Sequence, residues 1–165
     1  MILLEDTRNQ PGKHKNIEAY CATQGIEIIR TKLLVGDYML AGSTEETKGT
    51  TAGIKGDIVC DSKYGVPEIA SNVFQEHERF RAECETAQKL GIQLIVLVEE
   101  SLPFGRLDYW RSPIGRDGLP KYKFDPARLR KALVTMQDKY GVKFRFCDVR
   151  STGRLLIEYL KGERA

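Results

Sequence analysis

Apolar residues recur along this chain in two rhythms. Ile2-Leu3-Leu4 opens as a short buried strand, and a helix follows over about Lys15 to Gln24, ended by Gly25. Ile26 to Lys32 partly alternates and is β-branched, which predicts a strand, and Gly36 to Leu40 begins the next. Asp57 to Lys63 returns to strand character. Pro67 then stands where a first helical turn would begin, and Ile69, Val73, Phe80, Cys84 and Ala87 share one helical face. Gly91 closes that stripe, so the pattern predicts one helix over about 67–90. Ile92 to Val98 is apolar almost throughout, as a strand covered on both faces must be. Asp125-Pro126 is an N-cap with a first-turn proline, leading a stripe of Leu129, Leu133, Met136 and Tyr140 up to Gly141. Val142 to Cys147 makes another strand, and Ser151 or Thr152 caps a last helix carrying Leu155, Leu156, Tyr159 and Leu160.

Two stretches lack either rhythm. Residues 41–56 are polar and rich in Gly, Thr, Glu and Lys, which predicts an exposed insertion. Residues 99–124 form a long irregular loop punctuated by prolines and glycines. The alternation elsewhere predicts an α/β fold with a mixed β-sheet flanked by helices. The 165 residues fit a single domain spanning 1–165.

Composition excludes more than it selects. The longest pure apolar run, Leu94 to Val98, falls far short of the ~20 residues of a membrane helix. The N-terminus turns acidic at Glu5-Asp6 with no basic leader, so no secretion signal is visible and an intracellular protein is expected. Cys21, Cys60, Cys84 and Cys147 share no C-x-x-C spacing, and His14 and His77 lie far apart, which argues against zinc. Buried free thiols are expected instead.

The net charge of +3 hides an asymmetry. Residues 1–100 carry 11 basic and 16 acidic side chains, and residues 101–165 carry 15 and 7. An acidic first half and a basic second half suit a protein that holds a cation and meets a polyanion.

The candidate chemistry lies at strand ends. Asp37 follows Gly36 at a strand start, and Asp61 and Lys63, two apart on one strand, point to the same face. Two carboxylates and a lysine at a sheet edge are what metal-assisted phosphodiester hydrolysis requires. Hard oxygen ligands suit Mg²⁺, and a lysine can orient the attacking water or stabilise charge on the phosphorane. An exposed salt-bridging edge would show the same spacing.

Glu5-Asp6-Thr7-Arg8, Gly36-Asp37-Tyr38 and Val59-Cys60-Asp61-Ser62-Lys63 resemble the V-D-x-R-E, G-D-Y and V-E-R-K-x-x-x-D motifs of the XPF/Hef-type nuclease domain, within the PD-(D/E)XK nucleases. Arg79-Phe80, the strand Leu94 to Glu99, and Asp125 through the final helix resemble the rest of that domain. The resemblance implies a restriction-endonuclease-like fold, Mg²⁺- or Mn²⁺-dependent cleavage of branched or flapped DNA, and a homodimer. It makes Asp37 and Asp61 metal ligands and Lys63 the catalytic lysine. Asp6 becomes a supporting acid near the metal, and Arg8 a partner for it or for phosphate. Arg79 joins the DNA-binding residues.

The chain departs from the motifs in four places. Asp61 stands for the motif glutamate, Ser62 for the arginine, and Pro67 for the last aspartate, with Glu68 beside it as a replacement. Asp61 follows Asp37 by 24 positions, longer than the family spacing, and the excess falls in 41–56. Family members commonly add a helix-hairpin-helix module, for which no room is left before Ala165; a stand-alone bacterial or phage-like version is expected. The loop after the central strand offers compensation. Arg106, Arg111, Arg116, Lys121 and Lys123 are interleaved there with Phe104, Tyr109, Trp110, Tyr122 and Phe124, a mix suited to phosphate contact and base stacking. The alternatives are a solvated loop anchored by Trp110, and a catalytically inactive DNA-binding or scaffolding partner with the same fold. A nucleotide-binding domain is disfavoured, because no Gly-rich loop follows any strand.

Overall fold

A computed structural model describes residues 1–42 and 57–165; the 43–56 part of the expected insertion lies outside the described residues. Strand β1 (Ile2–Asp6) leads to α1 (Lys15–Thr23), β2 (Glu27–Thr31), β3 (Tyr38–Leu40) and β4 (Ile58–Lys63). Helices α2 (Val66–Phe74) and α3 (His77–Leu90) precede β5 (Gln93–Glu99). Then come α4 (Pro126–Tyr140), β6 (Lys143–Cys147) and α5 (Thr152–Leu160). The six strands form one sheet in the order β2-β1-β3-β4-β5-β6. All neighbours run parallel except β3, which is antiparallel to both β1 and β4, so the sheet is mixed as expected.

Strand periodicity divides the apolar residues between two layers. On one face Val59, Val96 and Phe144 pack with Ile69, Phe80, Leu129 and Leu133 of α2, α3 and α4. On the other, Cys60, Ile95 and Leu97 pack with Ile17 of α1 and Leu156 of α5. Strand β5 is buried on both faces, which explains its unbroken apolar run. The asymmetry that matters for function follows from the same alternation. Asp61 and Lys63 continue the Val59 row and therefore face α2 and α3.

The single helix expected over 67–90 is two helices. Backbone N–H groups of Gln75 and Glu76 both reach back to the Ser71 carbonyl, at 2.9 and 3.0 Å, and the chain restarts helically at His77. Between Phe74 and Phe80 the sequence offers five consecutive polar residues, Gln75 to Arg79. With no apolar side chain to bury there, the stripe is interrupted and the helix breaks in two.

The 99–124 stretch is tied down rather than loose. Phe104–Tyr109 form a 3₁₀ turn, and Phe104 packs edge-on against Phe146 at 5.4 Å. Trp110 is buried, stacks on Phe124 at 5.1 Å and donates its indole N–H to Glu100 Oε2 at 3.2 Å. The anchored reading of Trp110 holds. All four cysteines are buried and free, and burial pushes the Cys84 thiol up to about 12 and the Cys147 thiol to about 11. Among the described residues no helix is long and apolar enough to cross a membrane.

Candidate active site

The antiparallel β3–β4 pair builds the centre of the site. Its register matches Tyr38 with Cys60, so Asp37, one residue earlier, stands opposite Asp61. The turn into β3 needs glycine at 36. Its φ is +72°, and a Cβ there would run into Val59 Cγ1 and come within 3.0 Å of the Cys60 carbonyl oxygen. Asp37 N donates to Cys60 O at 2.8 Å, and Ser62 N donates to Asp37 Oδ2 at 3.1 Å. Lys63, two residues past Asp61, places Nζ 2.8 Å from Asp61 Oδ2.

Electrostatics divide the labour within this trio. Burial, and then the neighbouring Asp61 charge, hold the Asp37 carboxyl well above the usual carboxylate range, and the two carboxyls share a hydrogen bond. Burial also opposes charge on Asp61, but Lys63 and the hydrogen bond from Asp37 outweigh it and keep Asp61 below the usual range. Burial works against the Lys63 ammonium too, yet Asp61 and Asp37 raise it above an ordinary lysine. The pair thus divides its protons unequally, Asp37 holding one to higher pH than Asp61, while Lys63 keeps its ammonium beside them.

Helix α3 adds a residue that sequence reasoning missed. Glu83 accepts a 2.8 Å hydrogen bond from Gly36 N, and burial followed by repulsion from Asp61 raises its carboxyl. The signal was present: Glu83 sits among Phe80, Cys84 and Ala87, an acid inside an apolar stripe. Glu68, in the first turn of α2, accepts from Tyr64 N at 2.7 Å and from Lys13 Nζ at 3.3 Å. Asp37, Asp61, Lys63, Glu68 and Glu83 line one cavity of about 460 Å³. Arg8, Lys13 and Arg79 also reach it, giving an acidic centre with cations in the wall.

Asp6 lies differently. Its Oδ1 accepts from Arg8 N and Arg8 Nε, both at 2.7 Å, and its Oδ2 from Leu33 N at 2.7 Å and Arg8 Nη2 at 3.0 Å. Both oxygens are engaged, and the same guanidinium donates to Leu33 O at 3.1 Å. Asp6 and Arg8 therefore clamp the end of β1 to the segment before β3. The remaining basic residues fall outside this cavity. Lys121 and Lys123 line a second cavity, Arg111 a third, and Arg106 and Arg116 are exposed on the loop.

The donor set fits a hard divalent cation. Half-buried Asp37 and buried Asp61 set two carboxyls side by side, with the Lys63 ammonium 2.8 Å from Asp61 Oδ2. No cluster of three or more His, Cys, Asp or Glu side chains poised for a metal occurs among the described residues. Mg²⁺ keeps several waters and takes one or two carboxylates plus substrate phosphates.

Compared with known families, residues 6–158 match the ERCC4 domain. The chain belongs to that family. It is a family of DNA endonucleases, as the three motifs implied. Among solved structures, XPF from Aeropyrum pernix superposes with a TM-score of 0.62 at 14% identity, over 99% of this chain and 65% of that one. XPF from Aeropyrum pernix in complex with DNA gives a TM-score of 0.59 at 15% identity, over 98% and 64%. The chain thus spans about two thirds of the length of those proteins, and at such identity the likeness establishes the restriction-endonuclease-like fold. No curated protein matches at significant sequence similarity.

Proposed function

We propose that the protein is a metal-dependent, structure-specific endonuclease that hydrolyses phosphodiester bonds in branched or flapped DNA. The pair of half-buried Asp37 and buried Asp61, with Lys63 against it, carries this reading. A surface salt bridge would be solvated, and an idle site gains nothing from burying two repelling carboxyls. Asp37 and Asp61 would hold Mg²⁺ or Mn²⁺, which supplies Lewis acidity toward the phosphate and an acidified water when bound. Lys63 remains an ammonium in its site, so it acts as a donor that orients water or offsets charge building on the phosphate oxygens, not as a proton acceptor. Asp6 supports from behind by fixing Arg8 and Leu33.

Arg8 and Arg79 would meet phosphates at the cavity, and Arg106, Arg111, Arg116, Lys121 and Lys123 would meet the DNA backbone farther out. A homodimer is part of the same reading. An apolar groove of about 360 Å³ among α2, α3 and α4, lined by Val73, Phe80 and Met136, is an uncovered surface that supports it.

The test uses purified protein with Mg²⁺ or Mn²⁺ and labelled duplex, flap, fork and four-way-junction DNAs. Cleavage of branched DNAs over plain duplex, abolished by a chelator, is expected. Absence of cutting on every substrate with either metal overturns the reading and leaves a DNA-binding partner with the same fold.

A further inference from the structure

Helix α2 has two working faces. Glu68 and Asn72, with Glu76 of the turn that follows, line the cavity that holds Asp37 and Asp61, whereas Pro67, Ser71 and Phe74, with Gln75 of that turn, line a separate cavity of about 620 Å³. The far wall of the second cavity is the segment Lys121 to Asp125 with Arg128 of α4. Tyr122, Lys123 and Phe124 are shared with a further cavity of about 330 Å³ against Trp110 and Arg111. The two form a trough. A single helix, about 10 Å across, separates it from the acidic centre.

The trough combines two kinds of surface. Its cations are Lys121, Lys123, Arg128 and Arg111, and its one acid, Asp125, is engaged in capping α4 through Ala127 N at 3.0 Å. Its aromatic rings are Phe74, Tyr122, Phe124 and Trp110. The Arg128 guanidinium stands 5.0 Å over the Phe74 ring and the Lys121 ammonium 5.5 Å over Tyr122. The frame is held: Tyr122 N donates to Ser112 Oγ at 2.8 Å, and Trp110 is fixed on Phe124 and Glu100. Cations in Lys-Tyr-Lys-Phe alternation with rings suit a ligand offering phosphates and bare base faces together. Duplex DNA hides its base faces in the stack, and an acidic peptide has no ring faces at regular spacing. An unpaired strand has both.

We infer that this trough holds the unpaired strand of a branched DNA, which crosses α2 on its way to the site cavity. The inference rests on the nuclease reading only for the strand's far end, since binding in the trough needs no metal.

Trp110 is the only tryptophan in the chain and lines the trough, so its fluorescence reports occupancy. The full chain is titrated in chelator with oligo-dT and with blunt duplex of equal length. Saturable quenching by oligo-dT, tighter than by duplex, is expected. Tyr122→Leu should weaken oligo-dT binding about tenfold or more, the scale for losing one stacked base, and leave duplex binding within about twofold. Tyr122→Phe keeps the ring and should bind oligo-dT like the wild type, which separates stacking from misfolding. Lys123→Gln should lower the salt slope by about one phosphate contact. No quenching by oligo-dT, or equal binding by all three Tyr122 proteins, overturns the inference and leaves a solvated groove or a protein-docking surface. A protein that cuts with Mg²⁺ but shows no quenching refutes the trough alone. One that binds oligo-dT yet never cuts refutes the nuclease reading alone.

Discussion

Asp37 and Asp61 oppose each other across the antiparallel β3–β4 pair, and their carboxyls share a hydrogen bond in a buried site. Directly opposed like charges destabilise a sheet, so the metal-free pair settles by keeping a proton on Asp37.

That proton sets a pH dependence of stability. The folded chain holds it above the ordinary Asp value of 3.8, where the unfolded chain has released it. Asp37 therefore makes metal-free stability fall as pH rises from about 3.8 through its raised folded value. Asp61, shifted downward, contributes stability that is present above 3.8 and lost only as pH falls through its lower folded value. In chelator, Asp37→Asn should raise the melting temperature at pH 8 and lose that advantage toward pH 4, with about 2–4 °C for each kcal/mol of relieved repulsion. Mg²⁺ should raise the wild-type melting temperature more than that of the variant. A wild-type advantage at pH 8 without metal would contradict the shared-proton arrangement. Asp61→Asn should lower both metal affinity and turnover.

Lys63→Ala leaves both carboxyls in place. Metal should still bind, read as a thermal shift with Mn²⁺, while cleavage falls about 10²–10³-fold, the scale for losing one fixed charge stabiliser. DNA affinity should hold, because Arg8, Arg79 and the loop cations remain. Wild-type cutting by this variant would end the assignment of Lys63.

The exposed loop arginines should act as a group. Replacing Arg106, Arg111 and Arg116 by Gln should weaken binding to all DNAs alike and reduce the salt slope by up to about one per lost phosphate contact. An unchanged slope in fluorescence anisotropy would make them a surface feature.

Much of this was written in local patterns. Asp61 and Lys63 share a face because a strand alternates, and the apolar run of β5 marks a strand buried on both sides. The break between α2 and α3 was also legible, in the five polar residues from Gln75 to Arg79, but the stripe on either side drowned it. What local pattern could not supply was distance. Nothing in the sequence says that the Glu83 carboxylate, 47 positions beyond Gly36, accepts from that backbone N–H. Nor does spacing reveal that both Asp6 oxygens are taken by Arg8 and Leu33, a contact across 27 positions. The loop aromatics looked equally able to stack on bases or to anchor the chain, and the structure divides them: Trp110 is buried, whereas Tyr109 is exposed.

Gly36 should tolerate no side chain. An alanine there pays for a positive φ, about 1–2 kcal/mol, and for overpacking against Val59 and the Cys60 carbonyl, about 1–3 kcal/mol more. Urea denaturation of Gly36→Ala should show a loss of roughly 2–5 kcal/mol. Adding Val59→Ala should recover less than the overpacking part, since it opens a cavity of its own. A single-variant loss below about 1 kcal/mol would mean that the turn relaxes freely.

Glu83 is a positioning residue, and its two substitutions should behave differently. The carboxylate accepts from Gly36 N, the residue that leads directly into Asp37, so it fixes the turn from which Asp37 meets Asp61. It does not complete a three-residue metal cluster with them. Glu83→Gln keeps an acceptor of the same length, so stability and cleavage should stay near wild type, within about threefold in rate. Glu83→Ala leaves the buried Gly36 N–H without its partner, a cost of about 1–3 kcal/mol, and frees the turn. Cleavage should then fall with metal affinity, and both should be restored in Gln relative to Ala. A direct ligand would behave otherwise: Gln would lose a charge from the metal site and cut nearly as poorly as Ala. Measuring Mn²⁺ affinity and single-turnover cleavage for the pair decides between the two roles.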